Sequence, residues 1–421
     1  MILIKGGRVV TPSSITIADL LIGNNGKIEK IGNIASSLVK GKVLDATGLF
    51  VLPGAIDAHV HFRDPGDTSK EDFSTGSASA LAGGVTTVMD MPEYRNPSTT
   101  TIAAYIQKRK IVAKKARCDY QLRFGASETN FTEAAKSNAP SLKIFLTDTS
   151  SELGCSRQAA MKHFARFPKE KPVCVHAEDR ERIVERKDRF SELEKIRDKK
   201  TAQLACEFAL KGAAKFKRRV HICHVTTKLE IQMCRLYKKA TYEITPAHLY
   251  LSVEDRKELG FLGNIHPPLR DKREQTALWK SIGSDTIIAS DHAPHLLSHK
   301  QNGSPGYPGV GTLLPLMLQA VADKRIDMKN LVRMCAYNPA VAFNMQTKGK
   351  GALEIGMDAD IVLVDIKKKW KITAENRLSK CRWTPFEGKE VFGKIEQVYL
   401  RGKLAYDGEN VLSKKGNGKE V

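Results

Sequence analysis

Two histidines, His59 and His61, stand two residues apart in Asp57-Ala-His-Val-His-Phe-Arg-Asp-Pro-Gly66. A strand alternates its side chains between two faces, so both imidazoles point the same way if this stretch is extended. The run before them, residues 48–57, is short, apolar and bounded by Gly and Pro, which predicts a buried strand. Imidazoles leaving one strand end together can share a metal ion, although a core hydrogen-bonding pair would also explain this motif alone. Lys143, His176, His224 and Asp291 lie in or at the ends of further strand-like runs, at 142–146, 173–176, 220–224 and 286–291. Four His and one Asp converging on one place suffice for a metal site, and imidazole with carboxylate suits zinc. One ion would leave surplus ligands, so two are expected. Lys143 has no lone pair as an ammonium, and its plain role is a salt bridge in the interior.

The elements that must position these residues alternate strand-like and helical runs through the middle of the chain. Ser69, with Asp72 three residues on, predicts a helix start, followed by small residues to Ala82. Gly83-Gly84 breaks that helix before a strand at 85–91, and another run at 242–245 continues the series. Serial strand–helix units over this length predict a (β/α)8 TIM-type barrel, in which reactive residues sit at the carboxyl ends of strands. Both ends of the chain read instead as short strands and turns. The expected fold is α/β: residues 51–344 form the barrel, and 1–50 with 345–421 form a small β-sandwich domain built from both termini.

The chain has 421 residues, with 68 Lys plus Arg against 47 Asp plus Glu, a formal charge of +21. The basic residues are dispersed and no nucleic-acid-binding motif accompanies them, so a solvated surface that attracts an anionic substrate is expected, not a nucleic-acid partner. Eight isolated Cys fit a reducing cytoplasm. No run reaches membrane-spanning length, and the apolar start is too short for a signal peptide.

Several stretches in order carry a family resemblance: Asp57 to Gly66, Lys70-Glu-Asp-Phe73, Gly83-Gly-Val-Thr-Thr-Val88, His176-Ala-Glu-Asp179, His221-Ile-Cys-His224, Pro267-Pro-Leu-Arg270, Ser290-Asp-His-Ala-Pro-His295, Pro305-Gly-Tyr-Pro-Gly309 and Cys381-Arg-Trp-Thr-Pro-Phe-Glu-Gly388. Together they resemble a class I dihydroorotase, of the cyclic amidohydrolases, over nearly the whole chain. The resemblance implies two Zn(2+) per subunit, one on His59, His61 and Asp291, the other on His176 and His224. It implies that Lys143 bridges both through a CO2-derived carboxylate on Nζ. The implied reaction is the reversible cyclisation of N-carbamoyl-L-aspartate to (S)-dihydroorotate in pyrimidine biosynthesis. A hydroxide held between the ions is the implied nucleophile, with Asp291 as general acid and base. Arg63 and His295 are expected to bind the substrate carboxylate, and the loop of Pro308 and Gly309 to approach the ring. Thr149 and Ser150 match a lid, with Ser150 where the family has Phe.

Two positions depart from the family. Glu93 stands where an Asn reaches the carboxylate, leaving Asn96 as a substitute, and His266 replaces an Asn before the Pro-Pro-Leu-Arg motif. Cys223 and Glu243 are expected behind the ligands, and no role is assigned to His248. His163, His221 and His299 read as structural or surface residues. Allantoinase and hydantoinase share the ligands and are the near alternatives; Arg63 favours a substrate with a carboxylate. An inactive partner of aspartate transcarbamoylase is disfavoured because all six ligands are present. A homodimer, or association of an active enzyme with aspartate transcarbamoylase, is left open.

Overall fold

The computed structural model describes residues 1–92, 98–147, 153–375 and 378–421. Glu93, Asn96, Thr149 and Ser150 therefore lie outside the described residues. Five strands open the chain: β1 (Ile2–Val10), β2 (Ile15–Ile22), β3 (Ile28–Gly32), β4 (Lys42–Asp45) and β5 (Phe50–Pro53). The middle holds β6 (Ala55–Val60), β7 (Val85–Asp90), β8 (Asp119–Leu122), β9 (Phe124–Gly125), β10 (Leu142–Phe145), β11 (Val173–His176), β12 (Val220–Ile222), β13 (Ala240–Ile244) and β14 (Ile287–Ile288). The last strands are β15 (Ile361–Lys371), β16 (Glu390–Leu400) and β17 (Lys403–Tyr406).

All middle strands pair in parallel, in two ladders, β6-β7-β8 and β9-β10-β11-β12-β13-β14. Only Arg123 separates β8 from β9 along the chain. At the other seam the His61 N–H donates to the His292 carbonyl at 2.8 Å, next to a parallel bridge between Val60 and His292. The pairing is thus parallel throughout but not one unbroken ring. Helices such as Arg157–Arg166, Lys199–Lys215 and Lys228–Leu236 separate the strands in sequence. β6, β7, β11 and β14 divide their apolar residues between two clusters, as strands buried on both faces do. Leu142, Ile144, Val173 and Val175 join the large core. Cys174 joins the inner cluster with Ala58, Met89 and Cys223.

Strands from both termini meet in one eight-stranded sheet, ordered β17-β16-β15-β5-β1-β2-β3 with β4 on β1, where the sequence predicts a sandwich. The single strand expected over 48–57 divides at Gly54. β5 enters the end sheet against β15, and β6 enters the parallel ladder against β7. A side chain at Gly54 would collide with Thr86, so the two sheets can approach here only at a glycine. Across the same boundary Lys350 is buried with its ammonium against Asp119 of β8 and against Asp358 and Asp360 beside β15. Among the described residues, no helix is long and apolar enough to cross a membrane.

The first helix of the middle region, Phe73–Ala82, begins later than expected. Its cap is Asp72, whose carboxylate accepts from the Ser74 and Thr75 N–H groups at 2.8 and 2.9 Å, while Ser69 bonds Asp67 instead. Asp72 also pairs with Lys380 at 2.7 Å, a long-range contact that no local pattern encodes. Asp72→Ala is expected to lower stability by about 1–2 kcal/mol in urea unfolding, whereas Ser69→Ala should change it by about 0.5 kcal/mol at most.

Candidate metal centre

The carboxyl ends of the parallel strands open into a cleft lined by His59, His61, Arg63, His176, His224 and Asp291, with Phe145, His266 and His295 around them. Three strand-end residues hold left-handed backbone: Arg63 at φ 60°, His224 at φ 36° and Asp291 at φ 49°. Such conformations are costly for residues with a Cβ and gather where surrounding structure enforces them. Here they turn functional side chains into the cleft just as each strand ends. Asp57, buried in β6, helps impose this turn: Oδ1 accepts from the His59 and Ser290 N–H groups at 3.1 and 2.9 Å. Burial, against the Ser290 hydrogen bonds, pushes its carboxyl up to about 7.

The ligand candidates form two groups. Nε2 of His59 and of His61 lie 3.2 and 3.1 Å from the same oxygen, Oδ1 of Asp291. The Nδ1 of His59 is hydrogen-bonded to Glu243. A neutral imidazole that donates from Nδ1 carries its lone pair on Nε2. Burial, opposed by Glu243 and Asp291, draws His59 down to about 4, so the ring is neutral at pH 7. Its lone pair then faces a carboxylate oxygen, an arrangement of two acceptors that a cation between them resolves. Burial opposes ionisation of Asp291, but His59 and His61 outweigh it and hold the carboxyl below its usual range.

In the second group, His224 Nε2 and His176 Nδ1 are 2.9 Å apart, and His176 Nε2 bonds Glu178 at 2.8 Å. Burial, with His176 and His59 beside it, keeps His224 far below the usual imidazole value. His224 Nδ1 is buried without a hydrogen-bond partner. The donor set thus fits divalent cations: the imidazoles of His59 and His176 are fixed from behind by Glu243 and Glu178, and those of His61 and His224 stand beside them in the same cleft. Lys143 lies between the groups on β10, fully buried, its Nζ 3.0 Å from Cys223 Sγ and 4.8 Å from the centre of the Phe145 ring. Among the described residues it has no carboxylate partner, a poor environment for an ammonium.

Behind the cleft, Glu243 joins His59 to His221, whose Nε2 lies 2.9 Å from it and whose other nitrogen bonds Thr241. Burial opposes the Glu243 charge, but His59 and His221 hold its carboxyl well below normal. Glu178 is likewise paired with the buried Arg197, whose carbonyl accepts from Arg270 at 2.6 Å. The sequence motif containing Glu178 signals its place, but nothing local points to Arg197. Arg63 Nη2 lies 3.3 Å from His295 Nε2, and burial followed by Arg63 drives His295 down to about 2, leaving it neutral.

Not all expected residues reach the cleft wall. Pro305 and Gly306 line it, whereas Pro308 and Gly309 are buried farther along the same loop, with the Gly309 N–H donating to His292. His248 is clamped between Thr245 and the Pro267 carbonyl at 2.8 and 3.0 Å. His163 is buried against the Ser127 carbonyl.

Residues 50–405 match the Amidohydrolase family. The chain is 38% identical to Multifunctional protein CAD of Squalus acanthias over 89% of its own length, but spans only 16% of that protein. It is 34% identical to a dihydroorotase of Methanosarcina acetivorans, covering 99% of this chain and 94% of the other. Among solved structures, L-hydantoinase (dihydropyrimidinase) from Arthrobacter aurescens superposes with a TM-score of 0.95 at 26% identity, over 100% of this chain and 99% of that one. Parallel strands, a histidine-rich cleft at their carboxyl ends and a match across most of the length agree: the chain belongs to the amidohydrolase family.

Proposed function

We propose that this hydrolase is a dihydroorotase, closing N-carbamoyl-L-aspartate to (S)-dihydroorotate and opening it again. The observation that carries the reading is Arg63, a buried guanidinium held in the cleft two residues beyond His61, beside a neutral His295. Dihydroorotate presents a carboxylate that such a pair can bind, and a planar guanidinium matches it with two parallel bonds. The 34% identity with a dihydroorotase over nearly the full length supports the same substrate.

In this reading His59, His61 and Asp291 would hold one zinc and His176 and His224 the other, and Lys143, carboxylated on Nζ, would supply a further anionic ligand. The metals supply Lewis acidity and make water more acidic. Arg63 and His295 orient the substrate by its carboxylate. Asp291 accepts a proton from the nucleophile at its carboxylate and delivers it to the departing ring nitrogen; in the synthetic direction it returns the proton. Glu243 and Glu178 hold the imidazoles of His59 and His176 in one tautomer. We assign the expected 51–344 body to catalysis with its start moved to Ala55, because β5 (Phe50–Pro53) pairs in the end sheet, and residues 1–53 with 345–421 to the supporting β unit.

The hydantoinase likeness favours a second reading, an uncharged cyclic amide as substrate. Assay of dihydroorotate beside a hydantoin and dihydrouracil decides between them. Arg63→Met is expected to raise KM for dihydroorotate about 10- to 100-fold, as loss of a charge-assisted contact of about 1.5–3 kcal/mol requires. Faster turnover of the uncharged amides by the unaltered enzyme, with no effect of Arg63→Met, would replace the proposal by the second reading.

A further inference from the structure

Lys300 lies in the short helix Leu297–Gln301 and is fully buried, yet it pairs with no carboxylate among the described residues. Its ammonium donates to three backbone carbonyls: Asn264 at 2.7 Å, Ser304 at 2.9 Å and Gly306 at 2.8 Å. Three N–H donors meet three acceptors, which exhausts the ammonium. The acceptors belong to two loops of the cleft wall. One leads from Asn264 to His266 and the other from Ser304 through Gly306; His266, Pro305 and Gly306 line the cleft, and the acceptors Asn264 and Ser304 stand next to them along the chain. The Gly306 N–H also donates to the Asn264 carbonyl at 2.9 Å, so the loops meet at the cage. Trp383, from the segment between β15 and β16, places its ring 5.5 Å from the ammonium and donates from Nε1 to the His295 carbonyl at 2.7 Å. His295 in turn contacts Arg63.

We infer that Lys300 and Trp383 are positioning residues for the substrate-carboxylate subsite, a clamp through which one caged ammonium fixes both wall loops and one indole fixes His295 against Arg63. The inference rests on the dihydroorotase reading for the identity of the subsite. Neither residue touches the reacting atoms. Their chemical content is specific: an amine without its third proton loses one of the three bonds, and a methionine loses all three, leaving the Ser304 and Gly306 carbonyls unpaired while Asn264 keeps the Gly306 N–H. Burial alone draws Lys300 down to about 7, so the complete cage exists at lower pH and loosens as pH rises through that value. The titratable neighbours are His266 and His295 on the flanking loops. Burial and the nearby cations keep both neutral, His266 through Arg197 first and His295 through Arg63 first. Arg256 faces the cage only through the Asn264 side chain.

The test is the pH dependence of KM and kcat for dihydroorotate in the metal-loaded enzyme, in the wild type, Lys300→Met and Trp383→Phe. The wild type should show KM rising as pH passes through about 7. Lys300→Met should raise KM at least about fivefold, with kcat changed far less and the pH rise abolished, the pattern of lost uniform binding. Trp383→Phe keeps an aromatic ring and removes the bond to His295, so it should raise KM about threefold or more while keeping the pH rise. An unchanged KM in Lys300→Met, or an undiminished pH rise in it, overturns the clamp. If Lys300→Met does not fold, an unchanged KM in Trp383→Phe overturns it. Absence of dihydroorotate turnover in the wild type would instead refute the substrate assignment, and the Arg63→Met result separates the two failures.

Discussion

Asp291→Asn is expected to lower kcat by about two to four orders of magnitude, the range removed with a positioned proton carrier. Asn matches the shape of Asp, so the turn after β14 and the bonds between Asp57 and Ser290 should survive, leaving the melting temperature within a few degrees. What is lost is an oxygen able to take a proton beside His59 and His61. The role is distinct from binding: KM should move much less than kcat. Steady-state kinetics on metal-replete protein decides the matter. A kcat within tenfold of the wild type would show that the proton travels through another group.

Lys143→Ala should be as damaging for a different reason. A buried ammonium between two groups of ligands would repel cations, whereas an Nζ-carboxylate would attract both. Removing the side chain is therefore expected to reduce bound zinc from two ions per chain to one or none, with activity falling more than about a thousandfold. Short carboxylic acids added to the variant should restore part of both metal content and activity, since they can occupy the vacated space beside Phe145 and Cys223. Elemental analysis, and a carbamate carbon signal in 13C NMR of the folded, metal-loaded protein prepared with 13CO2, provide readouts independent of turnover. Full two-metal occupancy with an unmodified lysine would refute the bridging role.

The convergence of the strand ends was legible in the sequence because period-two alternation is local: His59 and His61 are placed by their spacing, and they line one cleft. The strand at 173–176 has its expected limits, since Val-Cys-Val-His is bounded by Pro and Ala and buried on both faces. Legibility failed where distant partners decide. Both Ser69 and Asp72 fit a cap locally, and Lys380, more than 300 residues away, engages Asp72. Arg197 beneath Glu178 and Lys350 among three aspartates are ion pairs made by topology, with no periodic signal. The left-handed backbone at Arg63, His224 and Asp291 is equally silent, because no glycine marks it. The end sheet was readable as β structure, but its pairing depended on Gly54 handing the chain from one sheet to another.

The aspartates around Lys350 constrain the route by which such a protein can change. Losing the lysine first would leave the buried Asp119 and Asp360 side by side next to the half-buried Asp358. Arg401 would still sit on Asp119 and Lys27 on Asp358, but among the described residues no cation would remain on Asp360, a step costing up to about 3–5 kcal/mol if it behaves like other broken buried pairs. A lineage can abandon this junction only by neutralising the acids before the cation. Because those acids belong to both the catalytic body and the end sheet, the ordered path ties the histories of the two parts together. Exchange of one part between distant relatives should therefore succeed only when the whole charge cluster travels with it.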